Sequence, residues 1–279
     1  MFPERQQGPH IDWKKEVEFL DSIFPNGSAY TIGKVNGDHW LLYMTSPDDS
    51  IRPGSSPALG QSNPSIPSSG PPDFTIEILM SDLSGEASEP FYHDSTTSPS
   101  VHAQAVSSTV GIADIFPADL TTLDAYTFTP CGYSSNALIR WGDPSFPSAT
   151  NATPFSSEGY YTIHVTPEKG WSYASFECNV PLSTRPSEES AIPDLETLVR
   201  RVVTVFRPGR ITLTLFISSE DNETDEHGDT EVEAAQKAFR AALSSTSAGS
   251  VTGPYKRTDK INYEFGGYDL AFASFEMLR

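Results

Sequence analysis

Three short runs each place one titratable side chain between apolar neighbours: Glu77 between Ile76 and Ile78, His164 between Ile163 and Val165, Glu177 between Phe176 and Cys178. Side chains alternate across a strand, so each of the three points to the face opposite its neighbours. A chain patterned in this way has to form a sheet with one buried apolar face. What lies over the other face decides what the polar residues are. Open to solvent, they are ordinary surface groups; covered by a second sheet, a carboxylate there needs a cationic partner or a proton. Glu77 and Glu177, with Asp73 at the start of the first run, would suit an amine ligand.

The order of elements can be read around these runs. Asp12 caps a helix carrying Trp13, Val17, Leu20, Ile23 and Phe24 at helical spacing, and Pro25-Asn26-Gly27 stops it. The runs 29–35 and 39–44 flank Asn36-Gly37, a hairpin signal. Residues 46–72 are mostly Ser, Pro, Gly, Asn and Asp, the composition of a disordered insertion. A strand follows at 74–80, then a polar stretch at 81–110 with weak periodicity and room for a short helix, and a Ser/Pro/Thr-rich loop at 143–158. Strands at 160–165 and 172–178 lead to a helix from Asp194 with Leu195, Leu198, Val199, Val202, Val203 and Phe206 on one face. Pro208-Gly209 ends that helix, a strand runs over 211–217, and a last helix spans 232–243. Both amphipathic helices run directly into a β-branched strand, a weak internal repeat.

Charge and cysteine content narrow the function classes. Against 37 Asp and Glu stand 18 Lys and Arg, a net charge of −19, which disfavours binding to a phosphate backbone. No apolar run approaches the roughly 18 residues that span a bilayer, so no membrane partner is expected. The start, MFPERQQGPH, lacks a signal-peptide pattern, and a cytoplasmic location fits best. The sequons at Asn26, Asn151 and Asn222 are then unused. Cys131 and Cys178 make neither a disulfide framework nor a zinc site. The acidic stretch 220–233 lacks the ordered spacing of a calcium loop and reads as a solvated linker, so no metal is expected. Ser134 and His164 could form a nucleophile–base pair, but the surroundings are not the G-x-S-x-G elbow of a hydrolase.

Taken together, the stretches FTPCGYSSN (128–136), YTIHVTPE (161–168) and WSYASFE (171–177) closely resemble eukaryotic, fungal-like S-adenosylmethionine decarboxylase proenzymes. EFLDSIFPNG (18–27), TIEILM (75–80) and GYDLAFASF (267–275) match the same family in the same order. The resemblance implies an αββα four-layer sandwich of two antiparallel sheets, built by duplication. Residues 1–45 would end the first repeat and 73–279 form the second, within one decarboxylase domain. It implies a lyase of spermidine and spermine biosynthesis that acts on S-adenosylmethionine. Its cofactor is a pyruvoyl group, made by autocatalytic cleavage at an internal serine and serving as the electron sink. Position by position, Phe128 matches an aromatic that stacks on adenine and Glu168 a carboxylate that holds the ribose hydroxyls. Ser134 and His164 match the self-processing pair. Asp73, Glu77, Glu177, Phe216 and Tyr268 match the site of the activator putrescine.

The match starts in the middle of the family sequence, so an N-terminally truncated sandwich lacking about its first third is expected. No Glu-Ser-Ser cleavage site occurs in the 279 residues, and neither cysteine falls where the family's proton-donating cysteine belongs. Two expectations follow. One is part of a working decarboxylase, inactive alone, either through a truncated gene model or as a fragment whose N-terminal portion is supplied separately. The other is a catalytically dead paralogue that serves as regulatory partner of an active homologue.

Overall fold

The computed structural model describes residues 6–37, 39–45, 73–93, 96–141, 157–185, 191–222, 224, 228–244, 254–265 and 267–278. The insertion expected at 46–72 and nearly all of the loop at 143–158 lie outside the described residues. The chain divides into two compact units, residues 1–69 and 70–279.

In the first unit, helix α1 (Trp13–Asp21) begins on Asp12, whose carboxylate accepts a 3.0 Å bond from the Lys15 N–H. Strands β1 (Gly27–Gly33) and β2 (His39–Thr45) pair antiparallel, from Gly27 opposite Thr45 to Gly33 opposite His39. The hairpin is present, but Asn36-Gly37 is not the central pair of a two-residue turn. Gly33 takes φ +101°, which turns the chain out of the ladder early. A four-residue turn then closes through the Gly37 N–H on the Lys34 carbonyl at 3.0 Å. At Gly27 a Cβ would overlap the Tyr43 phenol, so any side chain there would push Tyr43 aside. The Tyr43 hydroxyl donates to Asp21 Oδ1 at 2.9 Å and ties β2 to the end of α1.

The second unit is built on one eight-stranded sheet in the order β4-β5-β6-β7-β3-β8-β10-β9, antiparallel throughout. The strands are β3 (Phe74–Leu83), β4 (Thr121–Thr127), β5 (Tyr133–Trp141), β6 (Ser157–Thr166), β7 (Tyr173–Cys178), β8 (Pro208–Ser218), β9 (Tyr255–Phe265) and β10 (Tyr268–Met277). Between them lie a single turn α2 (Gly85–Ser88) and the helices α3 (Pro99–Val110), α4 (Leu195–Phe206) and α5 (Glu231–Ser244). The mixed α/β class with two antiparallel sheets, which the resemblance implies, is the fold observed.

Helix α4 follows the sequence rules closely. Asp194 caps it by accepting from the Thr197 N–H at 2.8 Å, and all six residues assigned to its apolar face are buried. It stops one residue before the proline: Arg207 turns to φ +44°, and Pro208 already opens β8. Helix α3 lies in the polar stretch of weak periodicity, where the sequence leaves room for a short helix. Its ends are chemically marked, by the Ser98 hydroxyl accepting from the Val101 N–H at 3.4 Å and by Gly111 at φ +88°. Only Ala103, Val106 and Ser107 are buried on it, so its apolar stripe is too thin to register as periodicity.

Alternation along β3 is complete: Phe74, Ile76, Ile78 and Met80 are buried, whereas Thr75, Glu77, Leu79 and Ser81 are half-buried on the other side. Helix α3 packs on β4, α4 on β3 and α5, and α5 on β8, β9 and β10. The core is therefore a sheet face under helices. Phe206 of α4 is fully buried and lies 6.0 Å from the near-parallel ring of Phe91. Phe206→Ala is expected to cost about 3–5 kcal/mol in urea unfolding. Leu138→Ala, at an exposed position of β5, should stay within about 0.5 kcal/mol. Equal losses at the two sites would contradict this division of the sheet.

Candidate active site on the polar face of the sheet

Strand parity gathers the singled-out residues on the side away from the helices. Ser134 on β5 stands opposite His164 on β6, which stands opposite Ser175 on β7. One pleat further along, Asn136, Thr162, Glu177, Glu77 and Thr214 line up across β5, β6, β7, β3 and β8. Glu177 is thus a diagonal neighbour of His164, a separation of roughly 7–8 Å between backbones.

The Ser134 hydroxyl lies 2.9 Å from His164 Nδ1. Ser134 is half-buried and His164 exposed. A hydroxyl bonded to an imidazole nitrogen can pass its proton to the ring. Among the described residues no carboxylate is hydrogen-bonded to the ring, so the third group of a hydrolase triad is missing.

Glu77 and Glu177 sit directly opposite on β3 and β7. Burial, reinforced by the Glu177 charge, pushes the Glu77 carboxyl up to about 7, with the Thr214 hydroxyl pulling weakly the other way. The Tyr160 hydroxyl donates to Glu177 Oε1 at 2.8 Å; that bond first, then burial, pushes the tyrosine to about 12. Tyr160 was not singled out from the sequence, although it shares the parity of Thr162 and His164. The other expected activator residues form a second group. The Tyr268 hydroxyl donates to Asp73 Oδ2 at 2.6 Å, and this bond raises the phenol before burial adds to it. Phe216 faces Thr75 and Leu270 across β8. Asp73 lies four residues from Glu77, about 13 Å along an extended chain. The five residues share one face but form two clusters.

Phe128 lies in the turn between β4 and β5, 48% exposed, with its N–H bonded to the Gly132 carbonyl at 3.0 Å. Tyr126 touches its ring edge-on at 5.3 Å. Glu168 sits in the turn after β6, where its carbonyl accepts from the Trp171 N–H at 3.0 Å. The two turns meet at Cys131: burial, and then the adjacent Glu168 carboxylate, push its thiol up. Phe128 and Glu168 thus stand at the strand end next to Ser134 and His164, since Tyr133 pairs with Val165 there. Both cysteines are free. Among the described residues no His, Cys, Asp and Glu cluster could hold a metal, and no helix is long and apolar enough to cross a membrane.

Comparison with known proteins shows the family to which the chain belongs. The sequence profile of the adenosylmethionine decarboxylase family matches residues 1–276. The S-adenosylmethionine decarboxylase proenzyme of Xenopus laevis is 32% identical over 280 residues, covering 100% of this chain and 63% of the relative. That of Drosophila melanogaster is 33% identical, over 98% of this chain and 64% of the relative. The chain therefore spans under two thirds of the length of these relatives. A crystal structure of a Trypanosoma brucei AdoMetDC-delta26 monomer shares the fold, with a TM-score of 0.55 at 18% identity over 100% of this chain and 83% of that one.

Glu77 also gives stability a pH signature. Its carboxyl rises from an ordinary 4.5 to about 7 on folding. Between those values the folded state keeps a proton that the unfolded chain has released, so stability falls as pH rises through this window. The fall is expected on the order of 1–3 kcal/mol. Urea midpoints at pH 5 and pH 8 should show it in the wild type, and the excess over Glu77→Gln isolates it. Parallel profiles for the two proteins would rule out the protonated carboxyl.

Proposed function

Because the chain belongs to the adenosylmethionine decarboxylase family, we propose that it forms the processing, nucleoside-binding and activator-binding part of a pyruvoyl-dependent S-adenosylmethionine decarboxylase. The observation that carries this reading is the Ser134–His164 hydrogen bond on the same sheet face as Glu77 and Glu177. Residues 1–45 end the first copy of a duplicated helix-and-sheet unit, and 73–279 make the second. The product class is the aminopropyl donor of spermidine and spermine biosynthesis.

The residues fit the handling of a chain end. An exposed imidazole bonded to a half-buried hydroxyl, at the lip of an open strand row, can serve a peptide bond brought to it. In self-processing, Ser134 supports the acyl shift by hydrogen bonding at the scissile carbonyl, and His164 takes the proton in the elimination that follows. The pyruvoyl group, once present, supplies the electron sink for loss of carbon dioxide. Its precursor serine comes from outside these 279 residues, which contain no Glu-Ser-Ser. Phe128 offers a flat face to adenine and Glu168 accepts from the ribose hydroxyls. Glu77 and Glu177 hold putrescine, a dication that relieves two carboxylates placed side by side. The 279 residues are inactive alone.

The test is intact mass of the protein captured from its own cells with an antibody to residues 255–278. A chain whose first residue is a pyruvoyl group upstream of Met1 is expected, and Ser134→Ala or His164→Ala should leave the uncleaved precursor, with decarboxylation reduced at least 100-fold. An unmodified mass of these residues, co-purifying with an active decarboxylase, would replace this reading with the regulatory partner.

A further inference from the structure

His93 and His102 take no part in the chemistry above, yet their rings stack with centroids 4.6 Å apart and planes 27° from parallel. His93 is 3% exposed, just after the bridge between Tyr92 and Cys131. His102 is half-buried on the first turn of α3. The two imidazoles reach the threonines on either side of Phe128. His102 Nδ1 lies 3.1 Å from Thr127 Oγ1, and His93 Nδ1 lies 3.2 Å from Thr129 Oγ1.

The partners decide which atoms donate. The Thr127 hydroxyl gives its single proton to the Pro99 carbonyl at 3.0 Å, so His102 must donate from Nδ1–H. His93 Nε2 faces the Thr97 carbonyl at 3.0 Å, an acceptor only, so Nε2 carries the proton. In the neutral ring Nδ1 then accepts from the Thr129 hydroxyl. The His93 backbone N–H adds a 2.9 Å bond to the Pro130 carbonyl. One buried residue therefore grips positions 129 and 130 by side chain and backbone, while its stacked neighbour grips 127.

We propose that His93, backed by His102, is the positioning residue for Phe128: it clamps the turn so that the half-exposed ring is presented in one orientation to a flat nucleoside. This rests on the reading of Phe128 as the adenine contact. Tyr126 meets the ring edge-on and Gly132 lies against it, while the hydrogen bonds at 127 and 129 hold the backbone on either side of Phe128. Ordering the turn in advance removes an entropic cost from ligand binding.

The experiment uses the whole chain, adenosine as probe and amide hydrogen exchange over 127–132. His93→Phe keeps a ring in the stack and loses both side-chain hydrogen bonds. It should weaken adenosine binding about tenfold and speed exchange at 127–132 about tenfold, with exchange elsewhere unchanged. Thr129→Val removes one of the same bonds from the other side and should move both readouts in the same direction. His93→Asn, able to accept from Thr129, should recover most of the affinity. Wild-type affinity in His93→Phe, or faster exchange spread over the whole second unit, would overturn the positioning role. Failure of the wild type itself to bind adenosine would remove the role of Phe128, and the clamp's purpose with it.

Discussion

Burial of one whole face of an eight-stranded antiparallel sheet, with the other face closed mainly at Thr214, Leu270, Phe272 and Ser274 of β8 and β10, is the constraint on which the rest of the second unit depends. Helices α3, α4 and α5 cover one face, so alternate residues of every strand are committed to the other. A slip of one residue between β3 and β7 would expose Ile76 and Ile78 and bury Glu77. The same slip would separate Glu77 from Glu177. Core packing and site assembly are therefore one property of the register. The apolar ridge of α4 supports β3, the strand that carries Glu77.

Opposed carboxylates on neighbouring strands are unfavourable, and like charges directly across a ladder destabilise a sheet. The second unit tolerates the pair because Glu77 can hold a proton near pH 7 and because Tyr160 donates to Glu177. A bound dication could take over that proton's role. This is why the proposed diamine site belongs on β3 and β7, where desolvation and a like charge act together. Asp73 with Tyr268 makes a separate, fully hydrogen-bonded group at the strand end. It can bound such a site without sharing the electrostatic tension of the glutamates.

Legibility in the sequence followed the strength of alternation. The six apolar positions of α4 and the opposite parity of Glu77, His164 and Glu177 needed only period counting, and all are found as read. Strands β4 and β5 escaped because inward Thr121 and Thr127 and outward Tyr126 blur one pattern, while a buried Ser135 and an exposed Leu138 blur the other. Strand β9 escaped for a different reason. As an edge strand it carries charge on both sides, Lys256 and Lys260 exposed and Arg257 and Asp259 half-buried, and has little apolar signal. The 2.9 Å approach of Ser134 to His164 could not be counted from spacing, since it depends on a strand pairing across 30 residues. Family resemblance pointed to that pair; the register places it.

The most direct measurement of the account's central claim is calorimetry of putrescine binding near pH 7, in two buffers of different ionisation enthalpy. If a dication sits against Glu77 and Glu177, binding ionises Glu77, so a fractional proton is released per diamine. Glu77→Gln should then bind without release. Putrescine binding with no buffer dependence, or proton release unchanged in Glu77→Gln, would contradict the claim that this face is built around a shared carboxylate charge.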